Sequence, residues 1–458
     1  MELREQHNSA IEKKIAALYI ILLPLKMFAP LNGIFSVFSA CATYFDFILH
    51  ILGFALMLIA SRGKLKTNRF ANMFVKLVMF LELISFAMAF LLHETLGTID
   101  GTDTYAAIMG PSIYYLHYLT IMFYNIYIFG LFSKEEIGRL LEKLIGWNLV
   151  LGYIQIAICM GIGAVARIYD GLNVLKAFRP AAYITTIWRI PLSGAEPASA
   201  GCLIGILVLP YFMSKIISGE NMQKYVRQLL LWLPIIYFTR SSTCYILVFI
   251  DFLIFIILGI RKRRFTRLTL IMLVALCVGV LVLVFLASGR EINNPVVNEL
   301  RYLLFEKSSD RGNESTVTRT IPTYINFKLF LEYPMFGVGN GNQGFFYTKF
   351  FPDWGMISAT TYSNIAGVAD GGVFIPSLFS GYGIVGVIAF LLCTIQYVKA
   401  AVESKRFLGS FYDMFLMSFV VFLVNGFQGD YFGNYMTLFV LCIPFMAGRC
   451  TDRTACQY

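Results

Sequence analysis

The chain has 458 residues, of which 58% are hydrophobic and only 14% charged, against roughly a quarter charged in an ordinary soluble domain. So few charges cannot solvate the outside of a compact soluble body, whereas lipid requires no polar coat; a soluble protein is excluded and an integral membrane protein is implied. The net charge of +10, from 37 Lys+Arg and 27 Asp+Glu, is a matter of topology rather than of nucleic acid, because basic residues collect on the cytoplasmic side of membrane proteins.

Apolar runs that cross a bilayer, or nearly so, fall in chain order at 15–28, 43–60, 70–92, 111–132, 144–165, 198–213, 228–238, 244–260, 268–287, 374–398, 410–425 and 435–448. The expectation is an all-α polytopic membrane protein of about twelve transmembrane helices, with 1–458 as a single membrane domain. The first run leads to no cleavage site and reads as a retained span. With the N-terminus in the cytoplasm, the segments 1–14, 61–69, 133–143, 214–227, 261–267, 399–409 and 449–458 hold 23 Lys+Arg in 76 residues. The opposite side holds 12 in 164, which puts both termini inside. Lys26 and Lys76 lie near span ends and can snorkel.

The weakest run is 228–238, which is short, contains Pro234, and leads into Thr239-Arg240-Ser241-Ser242; a broken helix is one reading. A cation between two apolar runs is expensive, so Arg240 is either a functional residue or an interfacial anchor. Two external segments are longer than connectors need to be: 166–197, and the large loop 288–373, which reads as helical around 296–307 and 316–332 and then as Gly-rich turns.

The first of these carries Arg189 and then Glu196-Pro197 at a span entry, where a carboxylate either caps the helix start or stands over a membrane cavity. The second gathers Arg301, Arg311 and Arg319, with Lys307 and Lys328 around them; guanidinium groups present a planar fork of donors to phosphate oxygens, so the cluster suits a pyrophosphate. Gly339, Gly341 and Gly344 spell G-x-G-x-x-G, but no βαβ context surrounds them, and a tight turn bringing backbone N–H groups to the active face is the better reading. The nine cysteines, with no CxxC, read as apolar packing residues. His7, His50, His93 and His117 lack ligand spacing, so neither a metal nor another cofactor is expected. No P-loop or nucleophile motif appears, which for an enzyme points to a substrate carrying its own leaving group.

Four features together resemble the O-antigen and capsule polymerase (Wzy) family and the related O-antigen ligases: Arg189 followed by Glu196-Pro197, the TRSS at 239–242, Arg319 followed by Pro334, Gly337 and Gly339, and Gly383-Ile384-Val385-Gly386. The resemblance covers roughly 185–390. It implies a GT-C-like, metal-independent glycosyltransferase of the bacterial plasma membrane, acting on polyprenyl pyrophosphate-linked oligosaccharides at the external face. On that resemblance Arg189 and Arg319 bind the donor pyrophosphate, with Arg240, Arg301 and Arg311 as further contacts, and Glu196 or else Asp370 serves as base. Ligases of the group carry a His shortly before the Gly-x-x-Gly entry, whereas 369–373 has none, which favours a polymerase over a ligase. A lipid-linked oligosaccharide flippase or other transporter is a further alternative, disfavoured because the external charges concentrate in one loop. Partners implied are the lipid-linked glycan, membrane lipid, a chain-length regulator and a flippase; nucleic acid is not among them.

Overall fold

The computed structural model describes residues 2–25, 45–61, 69–98, 102–173, 177–194, 196–262, 298, 301–302, 314–350, 373–427, 429 and 435–450. Among them the regular structure is helical and no strand occurs. The helices are α1 Glu2–Leu22, α2 Phe45–Ala60, α3 Arg69–Leu96, α4 Thr104–Leu131, α5 Lys134–Cys159, α6 Gly163–Leu172, α7 Ala181–Ile187, α8 Pro197–Leu203, α9 Leu209–Ser218, α10 Met222–Thr239 and α11 Ser242–Arg261. After them come α12 Glu314–Glu332, α13 Tyr347–Phe350, α14 Phe374–Glu403, α15 Lys405–Leu408, α16 Ser410–Asn425 and α17 Tyr435–Leu441. Among the described residues five segments are, by length and composition, apolar enough to cross a membrane: Ala71–Leu96, Lys134–Cys159, Pro197–Ser218, Ser242–Arg261 and Phe374–Glu403. This is a polytopic helical membrane protein. The expected run at 268–287 and most of the expected helix at 296–307 lie outside the described residues.

The segment Pro197–Ser218 is the buried heart of the bundle, with 94% of its most apolar window inside the protein. Its two α-helices are joined by a π-helical turn, Ile204–Val208, in which the Leu209 N–H reaches back to Ile204 O. A π turn leaves carbonyls without a helical partner, and Ser418 on α16 supplies one by donating to Ile206 O at 2.7 Å. Gly201 and Gly205 let α11 come close: a Cβ on Gly201 would lie 2.8 Å from Cys244 Cβ, and one on Gly205 2.7 Å from Leu247 Cβ. Cysteines 159, 202, 244, 393 and 442 are buried thiols, in keeping with a packing role.

The weak run at 228–238 is the end of an 18-residue helix, α10, which passes through Pro234 without a break. Its polar first turns, Met222 to Arg227, conceal the helix from an apolar scan, while Trp232, Ile235 and Ile236 bury the inward face.

The glycine-rich stretch is an internal fastening and not an open turn. Helix α14 is kinked at Gly383 (φ 61, ψ −163), and the kink frees backbone groups on both sides. Val338 N–H donates to Ser380 O (2.8 Å) and Gly339 N–H to Gly381 O (2.9 Å), while Ile384 and Val385 N–H donate to Pro334 O (2.7 Å) and Met335 O (3.1 Å). The remaining donors are also spent internally: Gly337 N–H on Tyr333 O, Asn340 N–H on Ser85 Oγ, Gly341 N–H on Gln343 Oε1 and Asn342 N–H on Gly339 O. No amide from Gly337 to Asn342 remains for a substrate, which corrects the expectation of N–H groups presented to an active face. These donors satisfy the kinked span, because unpaired backbone groups are costly away from water. Ile321, Ile325 and Leu329, one face of α12, close over Val338, Phe346 and Tyr347 and complete this second core.

Candidate functional site

At one end of the bundle the segment 177–196 folds back over the last turns of α5 and α10. Two buried amides on α5 hold it. Gln155 accepts from Leu192 N–H (2.9 Å) and donates to Leu192 O (3.0 Å), and Ser193 Oγ donates to Asn148 Oδ1 (2.8 Å). Asn148 and Gln155 are seven residues apart, two helical turns, and so share a face. The Tyr169 hydroxyl bridges Gln155 Nε2 (3.2 Å) and Arg179 O (2.9 Å). Burial pushes the Tyr169 phenol up to about 12, so it remains a donor at ordinary pH. Asp170 fixes the start of α7 by accepting from Ala181 N–H at 2.8 Å. Within the long segment expected to be external, the described residues 177–194 thus form a tethered platform.

Upon that platform α7 ends at Trp188 in the left-handed conformation (φ 50), and α10 ends at Arg240 in the same conformation (φ 45). For non-glycine residues this region costs on the order of 1 kcal/mol or more. The two ends are joined by Ile190 N–H to Phe238 O (3.1 Å) and by the Trp188 and Phe238 rings at 5.8 Å, while Trp188 Nε1 donates to Cys159 O at the end of α5 (2.8 Å). The Arg240 guanidinium carbon lies 3.7 Å over the Trp188 ring. Arg240 is therefore seated against the Trp188 ring where α5, α7 and α10 end.

Arg189, half-buried, follows Trp188 directly. Burial raises the Tyr183 phenol above its ordinary value, and the charges of Arg179, Glu196 and Arg189 all act on it, so these groups share one neighbourhood. Arg179 stacks over the Tyr183 ring at 4.7 Å. Glu196 is the N-cap residue of α8, with Pro197 in the first turn, but its side chain makes no capping hydrogen bond and is exposed. The carboxylate thus stands at the start of α8 without closing a capping hydrogen bond.

The structure thus puts Arg189 and Glu196 within electrostatic reach of Tyr183 and sets Arg240 against Trp188, the residue that precedes Arg189. It adds Arg179, Tyr183 and Trp188, which the sequence does not single out: Arg179 is one basic residue among several in the loop, and the only signal for the platform is the pair of amides on an apolar span. Arg319 lies in the second turn of α12, with its side chain outside the described residues; Arg301 is half-buried. Arg311 and Asp370 lie outside the described residues. Among the described residues no three of His, Cys, Asp and Glu assemble as a metal site.

Other entries to this end lie close by. Asn425 at the close of α16 donates to Cys202 Sγ (3.6 Å), and Ile375 N–H at the start of α14 donates to Gly426 O (2.9 Å). The starts of α8, α11 and α14 and the ends of α5, α10 and α16 therefore gather on one side of the molecule.

Residues 229–366 match the model of the family described as O-antigen ligase; the match takes in Arg240, Arg301, Arg311 and Arg319, while Arg189, Glu196 and Asp370 lie beyond it. No curated protein matches the chain. Over residues 229–366 the chain is therefore similar to the O-antigen ligase family, which supports the resemblance read from its sequence.

Proposed function

We propose that the protein is a polysaccharide polymerase of the bacterial plasma membrane. It transfers a growing glycan from its polyprenyl pyrophosphate carrier to a hydroxyl of the next lipid-linked repeat unit at the external face. The observation that carries this is the placement of Arg189 and the uncapped Glu196 within electrostatic reach of Tyr183, with Arg240 against Trp188, at one end of a lipid-embedded bundle, within and beside the stretch similar to the O-antigen ligase family. In this reading the chain has about twelve spans in a GT-C-like arrangement, with both termini cytoplasmic.

The reaction forms a bond between the acceptor oxygen and the anomeric carbon and breaks the bond from that carbon to the pyrophosphate. Negative charge grows on the leaving oxygen, and guanidinium groups in a site of low dielectric stabilise it. Arg189 and Arg319 are assigned to the pyrophosphate, with Arg240, Arg301 and Arg311 as further contacts. Trp188 sets the plane of the Arg240 fork. The acceptor proton passes to Glu196, exposed beside Tyr183 and the arginines, with Asp370 as the alternative base. Binding energy from both lipid-linked substrates places the hydroxyl, which can contribute more than either group alone.

The test uses the purified full chain with lipid pyrophosphate-linked repeat units only. A ladder of longer glycans is expected without nucleotide or added metal. The description of the matching family favours a ligase as the second reading. A single transfer to a different lipid acceptor, with no ladder, would establish the ligase instead, and neither product with folded protein would reject both.

A further inference from the structure

At the end of α14 remote from Glu196, the helix meets the start of α3 across a cleft of about 610 Å³ lined by Lys76, Lys399, Asn72, Gln396 and Glu403. Both lysines belong to segments apolar enough to cross a membrane. Lys76 lies five residues beyond Ala71 and Lys399 four before Glu403, which at 1.5 Å per residue puts each about 6–8 Å inside its span. That is the depth of lipid headgroups and glycerol rather than of hydrocarbon. Two cations against one carboxylate leave the cleft with one net positive charge. Both lysine side chains are exposed, at a depth where cations meet lipid phosphates.

The same helix faces continue from the cleft as apolar stripes. On α3, Phe80 (40% exposed) and Leu83 (67%) follow Lys76 at i+4 and i+7; on α14, Leu392 (55%) and Ile388 (50%) precede Lys399 at i−7 and i−11. A polar, cationic cleft with hydrogen-bonding amides thus opens onto apolar stripes running along the membrane. This matches the division of a phospholipid into an anionic head and acyl chains.

We infer that the Lys76–Lys399 cleft binds an anionic phospholipid. Its phosphate sits between the two ammonium groups, the Asn72 and Gln396 side-chain amides donate to the remaining oxygens, and the acyl chains lie along Phe80–Leu83 and Ile388–Leu392. The site is independent of the transfer reaction, since it lies at the opposite end of α14.

The experiment uses the purified full chain in neutral detergent, titrated with phosphatidylglycerol or phosphatidylcholine and read by native mass spectrometry. Phosphatidylglycerol should bind at least about 10-fold more tightly than phosphatidylcholine. Removing each charge should weaken it about 5-fold, and K76Q/K399Q together about 25-fold. K76R/K399R should retain binding, and Glu403→Gln should tighten it several-fold. Inorganic phosphate at matched concentration should displace little lipid. Binding by K76Q/K399Q within twofold of the parent, or equal affinity for the two lipids, would overturn the inference. Full displacement by inorganic phosphate would also overturn it, by making the ligand a soluble anion. Should K76Q/K399Q fail to fold, an unchanged affinity in Glu403→Gln decides against it.

Discussion

The guanidinium carbon of Arg240 lies over the indole of Trp188, 3.7 Å from the ring centroid, and both residues hold left-handed backbone at the ends of their helices. One contact thus joins the end of α7 to the arginine that follows α10. Exposed cation–π pairs contribute ~0.5–1 kcal/mol and desolvated ones ~2. Trp188→Phe retains a ring and loses the hydrogen bond to Cys159 O; Trp188→Leu loses both. The expected order of thermal stability in detergent is parent, then Phe, then Leu, with Leu lower by ~2–3 kcal/mol. Equal melting of the Leu variant and the parent would show that the stack holds nothing in place.

Glutamine 155 holds Leu192 through both backbone groups. Gln155→Leu leaves a buried N–H and C=O unpaired, an expected loss of ~1–3 kcal/mol for each such group. Because the tether sets where Arg189 stands, glycan transfer should fall further than stability does. A variant with lowered stability and undiminished transfer per folded molecule would separate the platform from the chemistry.

The fastening of the glycine stretch to α14 predicts a contrast among glycines of similar backbone. Gly383 has φ +61 and an added Cβ would strike the Met335 carbonyl; Gly337 has φ +66 and would strike Ser380 O. Gly97 has φ +63 but open space around it. Gly97→Ala should cost only the backbone term, ~1–2 kcal/mol, while Gly383→Ala and Gly337→Ala should abolish folded expression, as judged by size-exclusion of a fluorescent fusion.

For the arginines and the base, Arg319→Ala and Arg319→Lys should both lose most transfer activity at normal membrane expression, because an ammonium lacks the bidentate fork. Glu196→Gln should lower turnover by about 10²-fold or more with little change in substrate affinity. Full activity in Arg319→Lys would reject the bidentate role, and an unaltered Glu196→Gln would move the base to Asp370.

Tyrosine 169 supplies a pH dependence. Its phenol is raised to about 12, chiefly by burial, above the ordinary 10 of an unfolded chain. The folded state therefore disfavours the phenolate. The hydrogen bond that the phenol donates to Arg179 O contributes fully below pH 10 and is lost as pH rises through about 12, whereas the one it accepts from Gln155 Nε2 does not need the phenolic proton. Parent should exceed Tyr169→Phe in melting temperature at pH 8, and the gap should close between pH 10 and 12; a gap independent of pH would place the titration elsewhere.

Composition and the spacing of apolar runs determined that this is a polytopic helical membrane protein, because bilayer thickness imposes a length on every spanning helix. Several elements are legible to within a few residues, such as α16 at Ser410–Asn425 and α12 at Glu314–Glu332. Charge alone separated a densely basic set of loops from the sparse arginines opposite. What the tertiary structure decided is which of those arginines meet. Arg189 and Arg240 are 51 positions apart and become neighbours only because Ile190 bonds to Phe238 and Trp188 lies beneath Arg240. No local pattern encodes such contacts between helices. The glycines teach the converse: their spacing suggests a tight turn that presents N–H groups to an active face, yet those amides are spent on the kinked α14 (Gly339) and on near neighbours in the chain (Gly337, Gly341), since backbone groups away from water must first satisfy each other.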